Sequence, residues 1–110
     1  MKNIVIWLTG MSGSGKTTIA NGVFADLVNR GLKVKILDGD DIRNNTHTEL
    51  SFTPKDIRIN NDLIVKMCAK LRKDYDCIIV SIISPFLDSR QNAREEIGNG
   101  FIEVFVYASI

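Results

Sequence analysis

The chain has 110 residues, 45% of them hydrophobic and 25% charged, with a formal net charge of +1. That length is about one domain with a modest core, and the composition excludes a disordered chain. Near-neutral charge, with Lys and Arg scattered among acids, argues against a basic face for duplex nucleic acid.

The first element is "NIVIWLT" (3–9), a nearly continuous apolar run of the kind expected for a parallel strand covered on both faces. Its five-residue core, "IVIWL", is too short for a membrane span or a signal-peptide core, so the expected location is the cytoplasm, with no membrane partner. Trp7 on that strand is expected in the core. From 17 to 30, Ile19, Ala20, Val23, Phe24, Leu27 and Val28 fall at helical spacing, and Gly31 ends the helix. "KVKILD" (33–38) predicts a second strand. Thr53 as N-cap and Pro54 at the first helical position open a long predicted helix over 53–74, and "RKDYD" (72–76) forms its exit and turn, with no assigned function. "CIIVSII" (77–83) predicts a third strand, 88–98 a helix with Gly98 near its end, and "FIEVFVYA" (101–108) a fourth strand. Strands alternating with helices imply right-handed crossovers and a mostly parallel sheet in an α/β fold.

Between the first strand and the first helix, Gly10, Gly15, Lys16 and Thr17 fit G-x-x-x-x-G-K-[ST], the phosphate-binding P-loop. Glycines, Gly13 among them, let the backbone turn its N–H groups inward as a nest for polyphosphate oxygens. The helix starting near Lys16 points its positive dipole end at the same place. The predicted nucleotide-binding set is Gly10, Ser12, Gly13, Ser14, Gly15, Lys16, Thr17 and Thr18, with Lys16 reaching the β/γ-phosphates of ATP and Thr17 placing its hydroxyl on Mg²⁺.

"LDGDDIR" (37–43) falls at the carboxyl end of the second strand, where ligands of open α/β sheets bind. Asp38 and Asp40 can serve as a proton acceptor for an attacking hydroxyl and as a group ordering Mg²⁺ and its waters, and Arg43 supplies a fork for an anionic acceptor. After the third strand comes Ser84, where many motor and switch NTPases carry an aspartate, which favours a small-molecule kinase. No N-K-x-D-like segment supports a GTPase switch.

The segments "WLTGMSGSGKTT", "LDGDDIR", "SIISPF" and "FIEVFV", in this order, resemble adenylylsulfate kinase, which phosphorylates the 3′-hydroxyl of adenosine 5′-phosphosulfate with ATP. The resemblance covers almost the whole chain. It implies a three-layer P-loop domain over 1–110, Mg-ATP as donor, a nucleotide acceptor and often a homodimer. It also implies Asp38 as the base, with Arg43, Phe52 (stacking on the acceptor base), Asn60 and Ser84 on the acceptor side. Two departures accompany it. Asp56-Ile57 stands where the family usually reads Asp-Arg, and Arg58 points about 100° away around the helix. Members also continue for several more elements, so the resemblance implies a domain whose last elements are missing. A cytidine diphosphoramidate acceptor and a non-catalytic nucleotide-binding module are the alternatives these departures leave open.

Four further features have no settled function in the sequence. Phe86 either lines the acceptor pocket or covers the sheet end. Arg90 and Arg94 are expected on a solvated helix face, ion-paired among Asp88, Glu95 and Glu96. Cys68 and Cys77 read as reduced structural thiols, and His47 lacks partners spaced as metal ligands.

Overall fold

An apolar strand with no polar face is stable only when both faces are covered, and the fold meets that demand with helices on each side of a parallel sheet. The computed structural model describes residues 3–10, 15–38 and 53–106. Its elements run β1 (Ile4–Thr9), α1 (Lys16–Asn29), β2 (Val34–Asp38), α2 (Pro54–Leu71), a 3₁₀ turn (Arg72–Asp74), β3 (Cys77–Ile82), α3 (Leu87–Ile97) and β4 (Phe101–Phe105). The four strands form one parallel sheet in the order β2-β3-β1-β4.

The order explains the layers. From β1 the chain crosses over β3 to reach β2, then returns through β3 and crosses over β1 to β4. Right-handed crossovers running in opposite directions put their helices on opposite faces. One core accordingly joins Val5, Trp7, Ile78, Val80 and Ile82 to Ile64, Val65 and Cys68 of α2 and Ala93 and Ile97 of α3. The other joins Leu8, Cys77 and Ile79 to Ala20 and Leu27 of α1. Residues on β1 and β3 alternate between the two cores, as the strand period of two requires. Trp7 is fully buried, with its ring 5.9 Å from that of Phe101, so its expected place in the core holds.

The predicted elements all form, with ends shifted by a residue or a few. Thr53 caps α2 by accepting from the Asp56 N–H, and Gly31 closes α1 in the left-handed region at φ +84°. The long predicted helix is shorter than expected, because its last residues tighten into the 3₁₀ turn. There Arg72 does what the sequence did not reveal. Its guanidinium donates to the backbone carbonyls of Asn3, Ile97 and Asn99, tying the start of β1 to the end of α3 and the turn into β4. Gly100 is needed at that junction: its φ is +91°, and a Cβ would lie 3.0 Å from the Asn3 carbonyl oxygen.

Arg90 and Arg94 do form an ion-paired patch, but with a different acid. Both reach Glu103 on β4, at 3.1 Å each, because α3 lies along that strand; Asp88 pairs with Arg58 of α2 instead. Cys68 and Cys77 are free, buried thiols. Burial pushes Cys68 up to about 12 and Cys77 up to about 11. Among the described residues no helix is long and apolar enough to cross a membrane.

Candidate functional site

In an open α/β sheet, the crevice for ligands lies at the carboxyl ends of two neighbouring strands whose following connections leave to opposite faces. Here those strands are β1 and β3: the chain leaves β1 for α1 on one face and β3 for α3 on the other. Gly10, at the start of the glycine-rich segment, and "SPF" therefore follow the two strands that flank this crevice.

Gly10 is the buried residue that follows β1, and Gly15 precedes α1 with φ +98°, a conformation that a side chain would strain. Lys16 opens α1, and its Nζ donates to the Gly10 carbonyl at 2.6 Å, so the ammonium turns back towards the end of β1. α1 has no side-chain cap and no acidic residue in its first turn. No carboxylate of that turn competes for the positive end of the helix, and the donor set of Lys16, Thr17 and Thr18 with their backbone N–H groups fits a polyphosphate anion. Thr17 and Thr18 are exposed at this helix start.

Asp38 ends β2 and is half-buried; its register partner on β3 is Ser81, which also pairs with Leu8 of β1. One strand thus separates Asp38 from β1, and two strand spacings give about 10 Å between them. Asn60 and Ser84 approach from the other face of the sheet. Ser84, 2% exposed, accepts at its carbonyl from Thr9 Oγ1 (3.1 Å) and from Arg90 Nη1 (2.7 Å), and its hydroxyl donates to Asn61 Oδ1 (2.6 Å). Asn60 is fully buried, and neither its Nδ2 nor its Oδ1 has a hydrogen-bond partner among the described residues. A buried amide left in that state costs on the order of 1–3 kcal/mol unless water, an ion or a ligand completes it.

Of the sequence-predicted site residues, Gly10, Gly15, Lys16, Thr17, Thr18, Asp38, Asn60 and Ser84 lie at the carboxyl end of the sheet or on the helices that flank it. Ser12, Gly13, Ser14, Asp40, Arg43 and Phe52, together with His47, lie outside the described residues. Ile57 is buried, and Arg58 stacks 4.0 Å over the Phe86 ring while pairing with Asp88. Phe86 thus carries a cation on its face at the mouth of the β3 loop. Thr9 and Asn61 were not singled out in the sequence and Arg90 was read only as part of an ion-paired helix face, yet all three bond to Ser84. The available signal was on α2, where two asparagines interrupt the apolar stripe of Ile57, Ile64, Val65 and Cys68.

Comparison with known proteins bears directly on this arrangement. The family model described as adenylylsulphate kinase matches residues 2–110. A probable adenylyl-sulfate kinase of Pyrococcus abyssi is 43% identical over the whole chain, which spans 63% of that relative, and the adenylyl-sulfate kinase of Paraburkholderia xenovorans is 38% identical over 99% of the chain and 61% of its own length. The APS kinase of Mycobacterium tuberculosis, solved in complex with AMPPNP and APS, superposes with a TM-score of 0.85 at 29% identity, over 96% of this chain and 62% of that one. The chain therefore spans a little over three fifths of the length of these relatives. With a matching family model over nearly every residue, the chain belongs to the adenylylsulfate kinase family.

Proposed function

We propose that this chain carries the phosphoryl-transfer site of an ATP-dependent kinase whose acceptor is adenosine 5′-phosphosulfate and whose product is 3′-phosphoadenosine 5′-phosphosulfate. The observation that carries the reading is the Lys16 ammonium lying 2.6 Å from the Gly10 carbonyl at an uncapped helix start, in the crevice between β1 and β3. Family membership and the nucleotide and APS bound by the Mycobacterium tuberculosis relative support it.

In this reading the residues of one kinase domain divide the work. The loop amides of Gly10, Ser12, Gly13, Ser14 and Gly15, with Lys16 and Thr18, hold the polyphosphate and stabilise charge on the transferring oxygens. Asp38 accepts the proton of the ribose 3′-hydroxyl as its oxygen attacks the γ-phosphorus in line. A phosphorus–oxygen bond forms to the ribose, the bond to the β-phosphate oxygen breaks, and ADP leaves. Thr17 and Asp40 hold Mg²⁺, which neutralises phosphate charge when bound. No group of three or more acidic, histidine or cysteine side chains among the described residues could cage a metal by itself. Arg43, Phe52, Asn60 and Ser84 form the acceptor side, and the unsatisfied Asn60 amide is its most direct support.

A second acceptor class is favoured by one observation. Ile57 is packed into the core and Arg58 is engaged by Phe86 and Asp88, so this turn of α2 commits no free guanidinium to an anionic acceptor. Another nucleotide conjugate, such as cytidine diphosphoramidate, is the alternative acceptor that this departure leaves open. Transfer from γ-labelled ATP separates the two: label at the 3′-position of adenosine 5′-phosphosulfate supports the first reading, and label in the cytidine compound alone supports the second.

A further inference from the structure

Asn60 and Asn61 are neighbours on the buried side of α2, and the fold treats them oppositely. Asn60 has no partner for either polar atom among the described residues, whereas Asn61 uses its whole amide. Asn61 Nδ2 donates to the Ile57 carbonyl (2.8 Å), one turn back on its own helix, and to the Ile83 carbonyl (3.2 Å) at the end of β3. Two carbonyls can be met only by the amide nitrogen, so Oδ1 must face Ser84, and the serine hydroxyl, 2.6 Å away, must be the donor. Ser84 thus has its only side-chain proton turned inward and its carbonyl held by Thr9 and Arg90.

These contacts form one buried line. Thr9 is covalently followed by Gly10, whose carbonyl meets Lys16; Thr9 bonds to Ser84, Ser84 to Asn61, and Asn61 is covalently preceded by Asn60. We propose that Asn61 is a positioning residue of the acceptor site: bonded to Ile83 and Ser84, it fixes this turn of α2 against the end of β3, and so sets the Asn60 amide at a defined place relative to the nucleotide loop. The proposal rests on the acceptor role given to Asn60 above. It also changes how Ser84 contributes, since a hydroxyl committed to Asn61 acts by holding the helix in place.

The test compares binding of adenosine 5′-phosphosulfate and of AMPPNP by titration calorimetry, on the full chain and on Asn61→Leu, which keeps the volume and loses the three hydrogen bonds. Acceptor affinity is expected to fall by about tenfold, as loss of one well-placed hydrogen bond would give, while AMPPNP affinity stays within about twofold. A destabilised fold would lower both together. Asn61→Ala, with high helix propensity and room for water, provides a second variant should the leucine not fold. In the double variant with Ser84→Ala, acceptor affinity is expected to be no lower than in the weaker single variant, because both changes break the same bond. Unchanged acceptor affinity in both Asn61 variants, equal loss of both ligands, or full additivity with Ser84→Ala overturns the proposal while leaving the kinase reading intact. Absence of acceptor binding by the unaltered chain overturns both.

Discussion

The Lys16 ammonium donates to the carbonyl of Gly10, six residues earlier, closing the glycine-rich segment into a ring between β1 and α1. An ion pair with a polyphosphate is stronger than a bond to a neutral carbonyl, so a phosphate can draw the ammonium from Gly10. Lys16→Ala is expected to leave the circular dichroism spectrum unchanged and to reduce acceptor-dependent ADP release on the order of 10²–10³-fold, the range seen when one preorganised charge-stabilising donor is removed. Steady-state kinetics of the purified variant checks this.

Asp38 tests a different step. It ends the edge strand β2, with β3 lying between it and β1. Asp38→Asn keeps the side chain's shape, replaces one acceptor oxygen by an NH₂ donor and abolishes proton acceptance. AMPPNP affinity should be retained and transfer should fall by on the order of 10²–10⁴-fold, as for loss of a general base. A parallel loss of nucleotide affinity would instead place Asp38 in the donor site.

Arg72 should matter for stability and not for chemistry. Its three carbonyl partners, on Asn3, Ile97 and Asn99, lie at the amino end of the sheet, away from the crevice. Arg72→Met keeps most of the stem packing and removes the charged fork. Loss of bonds to a charged donor is expected to lower unfolding free energy by about 2 kcal/mol, moderated because water can reach some of the freed carbonyls. Chemical denaturation measures it, and nucleotide affinity of the folded variant should be unaltered.

The thiols set an alkaline limit. Burial raises Cys68 from an ordinary 9.0 to about 12 and Cys77 to about 11. Both hold their protons more tightly folded than unfolded, so their contribution is fully present below about pH 9 and is lost as pH rises towards 11 and 12. Denaturation midpoints should therefore decline above pH 9, less steeply in Cys68→Ala. A thiol reagent at pH 8 should label the native protein slowly and the denatured protein at once.

Much of the fold was legible because its signals are local. Apolar runs gave the strands, the 3.6-residue period gave the helices, and Thr53, Pro54, Gly31 and Gly98 marked helix ends through their own backbone preferences. The glycine-rich loop was legible for the same reason, since its chemistry depends on consecutive residues. What escaped depends on chain segments far apart. Arg72 reads three carbonyls contributed by segments that carry no side-chain signature. Glu103, not the acids of the same helix, meets Arg90 and Arg94, because strand order decides which charges become neighbours. Asn61 left a trace, a polar residue inside an apolar stripe, but only the sheet shows that its partners are Ile83 and Ser84.

The most direct test of the central claim is ADP release from Mg-ATP by the 110-residue chain, measured with adenosine 5′-phosphosulfate, with a cytidine diphospho-conjugate and with no acceptor. The account predicts release that depends on adenosine 5′-phosphosulfate and is lost in Lys16→Ala. Intact AMPPNP binding with no release above the acceptor-free rate would contradict it, and would leave a chain that holds a nucleotide without transferring its phosphate.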